Sequence, residues 1–182
     1  NDVPVFAEND PRFQDQKFNA DLPLPAEFTV GLSYHVTDKW MLAFDYNRAM
    51  WSVYESLTVD FSNGTQSVNP RNYQNSSTYR VGTQYKANDK FTFRAGWYFD
   101  ESPVQDGYFA PETPRNDSMG YTGGLTYQLN GKLGIDFSFL YLHFDEVDNS
   151  YDHYTENGNI QPFGGTYKSS VFSPGIGITY GF

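Results

Sequence analysis

From residue 28 onward the chain alternates apolar and polar or small side chains with a period of two, which is the pattern of a β-strand with one greasy face. Phe28, Val30, Leu32, Tyr34 and Val36 alternate with Thr29, Gly31, Ser33 and His35. After Thr37-Asp38-Lys39 the pattern restarts with Trp40, Leu42, Phe44 and Tyr46. Tyr79, Val81 and Tyr85 are followed, across Asn88-Asp89-Lys90, by Phe91, Phe93, Ala95, Trp97 and Phe99. A third pair carries Tyr121, Leu125, Tyr127 and Leu129, then Asn130-Gly131, a dipeptide suited to a type I′ hairpin turn, then Leu133, Ile135, Phe137, Phe139 and Tyr141. The chain closes on Phe172, Pro174, Ile176, Ile178, Tyr180 and the terminal Phe182. A further strand at 18–22 brings the count to about eight, and no stretch of helical periodicity interrupts them.

The connections alternate as well. Turns near 38, 89 and 131 are short, whereas the links at 62–75, 102–116 and 147–168 are long and polar. An antiparallel transmembrane β-barrel has this asymmetry, with short periplasmic turns and long extracellular loops. The last strand then runs inward to Phe182, and Leu22-Pro23-Leu24-Pro25 makes a tight outer corner where prolines interrupt the ladder. Aromatic residues fall into two girdles, Trp40, Phe91, Tyr127 and Tyr180 near the short turns and Tyr46, Tyr79, Phe99 and Tyr141 toward the long loops. A soluble β-sandwich also alternates, but it turns its aromatics inward and does not alternate its loop lengths. Residues 51–61 switch the apolar positions from even to odd, which a bulge at 48–50 explains on a strand continuing above the membrane.

Composition sharpens this picture. Among 182 residues there are 15 Tyr and 16 Phe, yet mean hydropathy is −0.61. Barrel strands reconcile the two, because every second residue faces a polar lumen. No apolar run approaches the roughly 18 residues of a spanning helix. A net charge of −10 argues against nucleic-acid binding, which needs clustered cations. Cysteine is absent, so disulfides and thiolate chemistry are excluded. Asn1 opens no signal peptide, and the chain reads as mature, trimmed or partial.

Two blocks carry a resemblance. The stretch Leu22-Pro-Leu-Pro-Ala26 followed by TVGLSYHVTDKWMLAFDYNRAMWSVYESLTVDF resembles a hairpin of the FadL family of outer-membrane transporters. FRAGWYFDESPVQD, then Pro111-Glu-Thr-Pro114-Arg115-Asn116-Asp117 and Gly120, is similar to that family's Arg-x-Gly strand, Ser/Thr-Pro-Val loop and Pro-Asp-x-x-Arg-like stretch, although the order here is Pro-Arg-Asn-Asp. The resemblance implies a barrel of about fourteen strands with an amino-terminal hatch, passing long-chain fatty acids or aromatic hydrocarbons. It implies that residues 1–182 are the C-terminal portion of one such barrel domain. The competing architecture is a complete eight-stranded barrel filled by its own side chains, with a structural or partner-binding role.

The face opposite the aromatics carries Glu27, Asp45, Arg80, Arg94 and Asp136, with Tyr98 among them. These are the candidate lumen-lining residues. Arg80 and Arg94 are placed to pair with Asp45 or Asp136 in a structural ion network, or to meet a fatty-acid carboxylate. The loop containing Asp145, Glu146, Asp148 and Asp152 has a carboxylate density that attracts calcium, but lacks the glycine and final glutamate of an EF-hand and reads as a solvated surface. His35, His143 and His153 lie on separate elements, and neither a zinc-hydrolase nor a serine-hydrolase motif occurs. Three Asn-x-Ser/Thr matches, at Asn63, Asn75 and Asn116, read as chance in a bacterial protein.

The expected function is passage of hydrophobic small molecules across the outer membrane, with no catalytic residue and no cofactor. Expected partners are membrane lipids, the substrate, and the assembly machinery that reads Phe182. A lipid-modifying barrel enzyme would instead need a nucleophile and base converging on one rim, and a partner-binding subunit a closed lumen under apolar loops, where Tyr108, Phe109 and Tyr151 are the available aromatics.

Overall fold

The computed structural model describes residues 17–110, 115–156 and 158–181. The terminal Phe182 and the Pro111–Pro114 part of the second block lie outside these residues, and with Phe182 so does the expectation built on it.

Seven long strands form one antiparallel sheet. They are β2 (Glu27–Thr37), β3 (Trp40–Ala49), β6 (Ser76–Lys86), β7 (Phe91–Asp100), β8 (Ser118–Gln128), β9 (Leu133–Phe144) and β14 (Ser170–Tyr180). The order β2-β3-β6-β7-β8-β9-β14 is a simple meander. Its short turns lie at Asp38-Lys39, 87–90 and 129–132, where the alternation predicts them, but Asn130 and Gly131 do not take the positive φ of the type I′ turn their dipeptide suits. Asn88 and Asn130 hold the last two by accepting backbone N–H groups through their side-chain oxygens.

Register confirms that the apolar residues share one face. Val30 lies opposite Tyr46, Phe44 opposite Val81, Val81 opposite Trp97, Trp97 opposite Tyr121, and Tyr121 opposite Tyr141. Most of this face is open: Leu32, Ile176 and Ile178 are each more than 70% exposed. An exposed apolar face of this size suits contact with lipid, as on the outside of a membrane barrel.

The two sheet edges differ. Gly181 donates to the Lys132 carbonyl, and Phe144 donates to that of Ser169. In an antiparallel pair the bonded residues recur every second position, so the odd residues of β14 bond to β9 and the even ones face the free edge. Pro174, opposite Phe139, is therefore placed where its missing N–H costs β9 nothing. The free edge of β2 carries no proline.

Beyond the loop end of this sheet lie smaller elements. β1 (Phe18–Asp21), β4 (Ser56–Phe61) and β5 (Gln66–Pro70) form a three-stranded sheet, β10 (Val147–Tyr151) pairs with β13 (Phe163–Tyr167), and β11 (Thr155–Glu156) pairs with β12 (Asn159–Ile160). Two expectations change here. The strand read at 18–22 exists, but it pairs with β4 in the outer sheet rather than extending the membrane wall, since the proline corner at 23–25 ends its ladder. The even-to-odd switch after Ala49 comes from a 3₁₀ turn at Trp51–Val53, not from a bulge; β3 stops and a separate strand begins. The register shift in the wall lies instead beside the β2–β3 turn, between His35 and Thr37.

A strap at residues 101–110 ties these pieces together. The Pro103 carbonyl accepts Gln74 N–H, Phe109 N–H donates to Ser150, and Asp152 N–H donates to Gly107. Phe109 is 1% exposed, its ring 4.7 Å from that of Tyr167. The outer elements thus own a small core of their own, separate from the membrane wall.

Candidate lumen wall

Because β-strands turn alternate residues to opposite faces, the residues between the outward aromatics line the concave side. They enclose a trough of about 800 Å³ across β3, β6, β7, β8, β9 and β14. Its floor is built of small residues, with Ala43, Gly82, Gly96 and Thr122 side by side on successive strands and the Thr122 hydroxyl leaning over Gly96. Met41 and Leu140 supply apolar flanks.

Two polar ladders border this floor. On one side Asp45 faces Arg80 in register, and Arg80 Nη1 donates to Asp45 Oδ1 at 2.7 Å. On the other side Arg94 donates through Nε to Gln84 Oε1 at 2.8 Å and through Nη1 to Thr126 Oγ1 at 2.7 Å. Thr126 in turn donates to Asp136 Oδ1 at 2.5 Å, and Thr179 donates to Asp136 Oδ2 at 3.1 Å. This line crosses five strands and satisfies each member locally.

The two arginines therefore differ in state. Arg80 meets its carboxylate directly, as the sequence allows. Arg94 meets two neutral groups, and its link to Asp136 runs through the Thr126 hydroxyl; among the described residues no carboxylate lies at ion-pair distance from it. Glu27 stands apart at the loop end of β2, accepting from Asn47 Nδ2 at 3.3 Å, and takes no part in the trough. Tyr98 lies flat on the inner wall over Gly120, where a Cβ would sit 2.0 Å from Tyr98 Cε1. Only glycine at 120 permits that ring position.

Sequence reasoning missed Gln84, Thr126 and Thr179, because neutral side chains are judged by what they touch and the register was not yet known. The signal was present in the alternation: all three fall on the inward face.

The acidic loop does not converge. Asp145 Oδ1 lies 3.9 Å from His143 Nε2, Glu146 pairs with Lys168 at 3.1 Å, and Asp152 accepts from Ser150 Oγ. Among the described residues no group of three or more His, Asp or Glu side chains is arranged to hold a metal ion.

Comparison with known proteins follows the same lines. The family described as outer membrane protein transport protein (OMPP1/FadL/TodX) matches residues 12–182. Outer membrane protein P1 of Haemophilus influenzae is 28% identical over 138 residues, covering 72% of this chain and 30% of that protein. The long-chain fatty acid transport protein of Escherichia coli K12 is 27% identical over 127 residues, covering 69% and 28%. Among solved structures, a Pseudomonas aeruginosa FadL homologue superposes with a TM-score of 0.78 at 26% identity, over 90% of this chain and 37% of its own. The Pseudomonas putida toluene transporter TodX shares the fold, with a TM-score of 0.66 at 22% identity, over 90% and 36%. The chain spans about a third of the length of these relatives.

Proposed function

The chain belongs to the OMPP1/FadL/TodX family of outer-membrane transport proteins, and from that premise we propose that it is the C-terminal stretch of wall of a barrel passing hydrophobic small molecules, long-chain fatty acids in particular. As a family member it is an outer-membrane β-barrel protein whose apolar face meets lipid. The loop-end elements then stand outside the cell and the short turns face the periplasm.

Topology supports a larger barrel. β2 and β14 run in the same direction, because seven antiparallel strands lie in one meander. Such a sheet does not close on itself with antiparallel pairing; closure takes an odd number of further strands. A wall assembled with those strands encloses the trough.

The observation that carries the function is the trough itself: a floor of small, uncharged residues bordered by one arginine that meets no carboxylate directly among the described residues. An alkyl tail fits the floor, and a carboxylate fits the guanidinium hydrogens of Arg94 that Gln84 and Thr126 leave open. Arg80, neutralised by Asp45, is the structural member of the pair.

The test uses the full-length protein in detergent, measuring equilibrium binding of a long-chain fatty acid. Arg94→Gln is expected to weaken binding roughly ten-fold or more, the worth of a charge-assisted hydrogen bond, with folding unchanged by heat-modifiability on gels. Undiminished affinity in a folded Arg94→Gln barrel overturns the assignment of Arg94.

A further inference from the structure

The trough holds a second open donor besides Arg94. Building on the reading of Arg94 as the carboxylate anchor, we propose that this wall selects long-chain acids bearing a second polar oxygen part-way along the alkyl chain, received by the Tyr98 hydroxyl.

Tyr98 and Arg94 both lie on β7 and both face the trough. They are four positions apart, so their Cα atoms stand roughly 13 Å apart along the strand. Between them lies Gly96, flanked by Gly82 and by Thr122, whose hydroxyl leans over Gly96, so the surface joining the two polar groups is low and carries no charge. A run of methylenes crosses it without meeting a charge. At one end the guanidinium takes the carboxylate; at the other a phenol stands ready.

The Tyr98 hydroxyl makes no hydrogen bond to any described residue. Its register neighbour Arg80 is turned away toward Asp45 on β3. The ring is fixed by its seat on Gly120, where added bulk has no room. Tyr98 is thus an aromatic seated on Gly120 whose polar tip is unengaged among the described residues, on the same strand as the anchor.

The consequence is selective. A plain alkyl chain laid over the floor covers the phenol and leaves its hydroxyl unpaired, whereas an oxygen at that point pairs with it. A site that hydrogen-bonds a ligand oxygen rejects the analogue lacking it more sharply than an apolar pocket rejects an added methylene. The hydroxylated acid is the less hydrophobic of the two, so a preference for it runs against simple partition.

The experiment compares octadecanoic acid with a mid-chain hydroxylated octadecanoic acid, binding each to the full-length protein in detergent. Wild type is expected to favour the hydroxy acid roughly ten-fold. Tyr98→Phe, which removes one oxygen and keeps the ring on Gly120, is expected to erase that preference from both sides, lowering the affinity for the hydroxy acid and raising that for the plain acid, whose chain no longer covers an unpaired hydroxyl. Gly120→Ala, which moves the ring, should erase it independently. Arg94→Gln should weaken both acids by the same factor. Equal affinity of wild type for the two acids, or a preference surviving in Tyr98→Phe, overturns the proposal and leaves the fatty-acid reading standing. Wild type that binds neither acid overturns the fatty-acid reading itself and this selectivity with it.

Discussion

Asp45 and Arg80 sit directly opposite each other on β3 and β6 and meet at 2.7 Å, with 37% and 49% of their side chains exposed. A pair this open to a wet lumen contributes little to stability, about 0–1 kcal/mol, because solvent screens it and two long side chains must be ordered. Its larger effect is on the charge of the wall. Asp45→Asn is expected to leave the thermal midpoint of the full-length barrel within a few degrees of wild type while freeing Arg80 as a second anion receptor. Fatty-acid affinity should then rise, and Asp45→Asn combined with Arg80→Gln should return it to the wild-type value. An affinity that falls in Asp45→Asn would show that the carboxylate itself helps to hold the ligand.

The assignment of faces makes a paired prediction. Val81 points outward between Phe44 and Trp97, whereas Thr122 points inward beside Gly96. Val81→Arg places a charge among lipid tails, which costs about 2–4 kcal/mol near the bilayer midplane. Thr122→Arg places the same charge in the lumen, where water reaches it. Urea titrations of folding into lipid vesicles should therefore show a large loss for the first and a small one for the second. Equal losses would mean that the two faces do not see different solvents.

The membrane wall was legible in the sequence because one physical requirement, an apolar residue at every second position against lipid, acts on all seven strands alike. It fixes the face of Phe44 and Val81 and, by exclusion, that of Asp45 and Arg80. The outer elements obey no such rule. β4 forms because β1 and β5 pair with it, and the step from Ala49 to Ser56 passes through a 3₁₀ turn at Trp51–Val53 that leaves no pattern distinguishable from a bulge. β10 and β13 read as polar loop, since Asp148, Asn149, Gly164 and Gly165 disfavour strands locally and are held by the partner strand. Within the trough the charges were legible, but the state of Arg94 was not. Whether it met Asp136 directly or through Thr126 depends on side-chain geometry that period-two alternation does not contain.

Phe109 tests whether the outer elements form a separate cooperative unit. It is almost fully buried, against Tyr167, while the strap around it is tied by Ser150 and Gly107. Phe109→Ala opens a cavity worth about 3–5 kcal/mol in a tight core. The loss should appear locally, as faster proteolysis of the strap and of the β10–β13 hairpin on intact cells, while the heat-modifiability of the barrel stays unchanged. A fall in the stability of the whole barrel would instead join the cap and the wall into one unit.

Pro174 bears on how the wall continues beyond β14. Its position opposite Phe139 leaves the β9 ladder complete, so replacing it disturbs nothing already paired. The missing donor lies on the free edge, midway along the strand, where a neighbouring strand of the closed barrel would present a carbonyl without a partner in the membrane interior. Pro174→Val restores the N–H and supplies a β-branched residue suited to the lipid face. If another strand pairs there, the full-length barrel should gain about 0.5–1.5 kcal/mol, the net worth of one hydrogen bond, seen as a higher unfolding midpoint and slower amide exchange beside residue 174. An unchanged midpoint together with rapid exchange at the new amide would show that the ladder is broken at this seam, with its free groups met by lumen water instead.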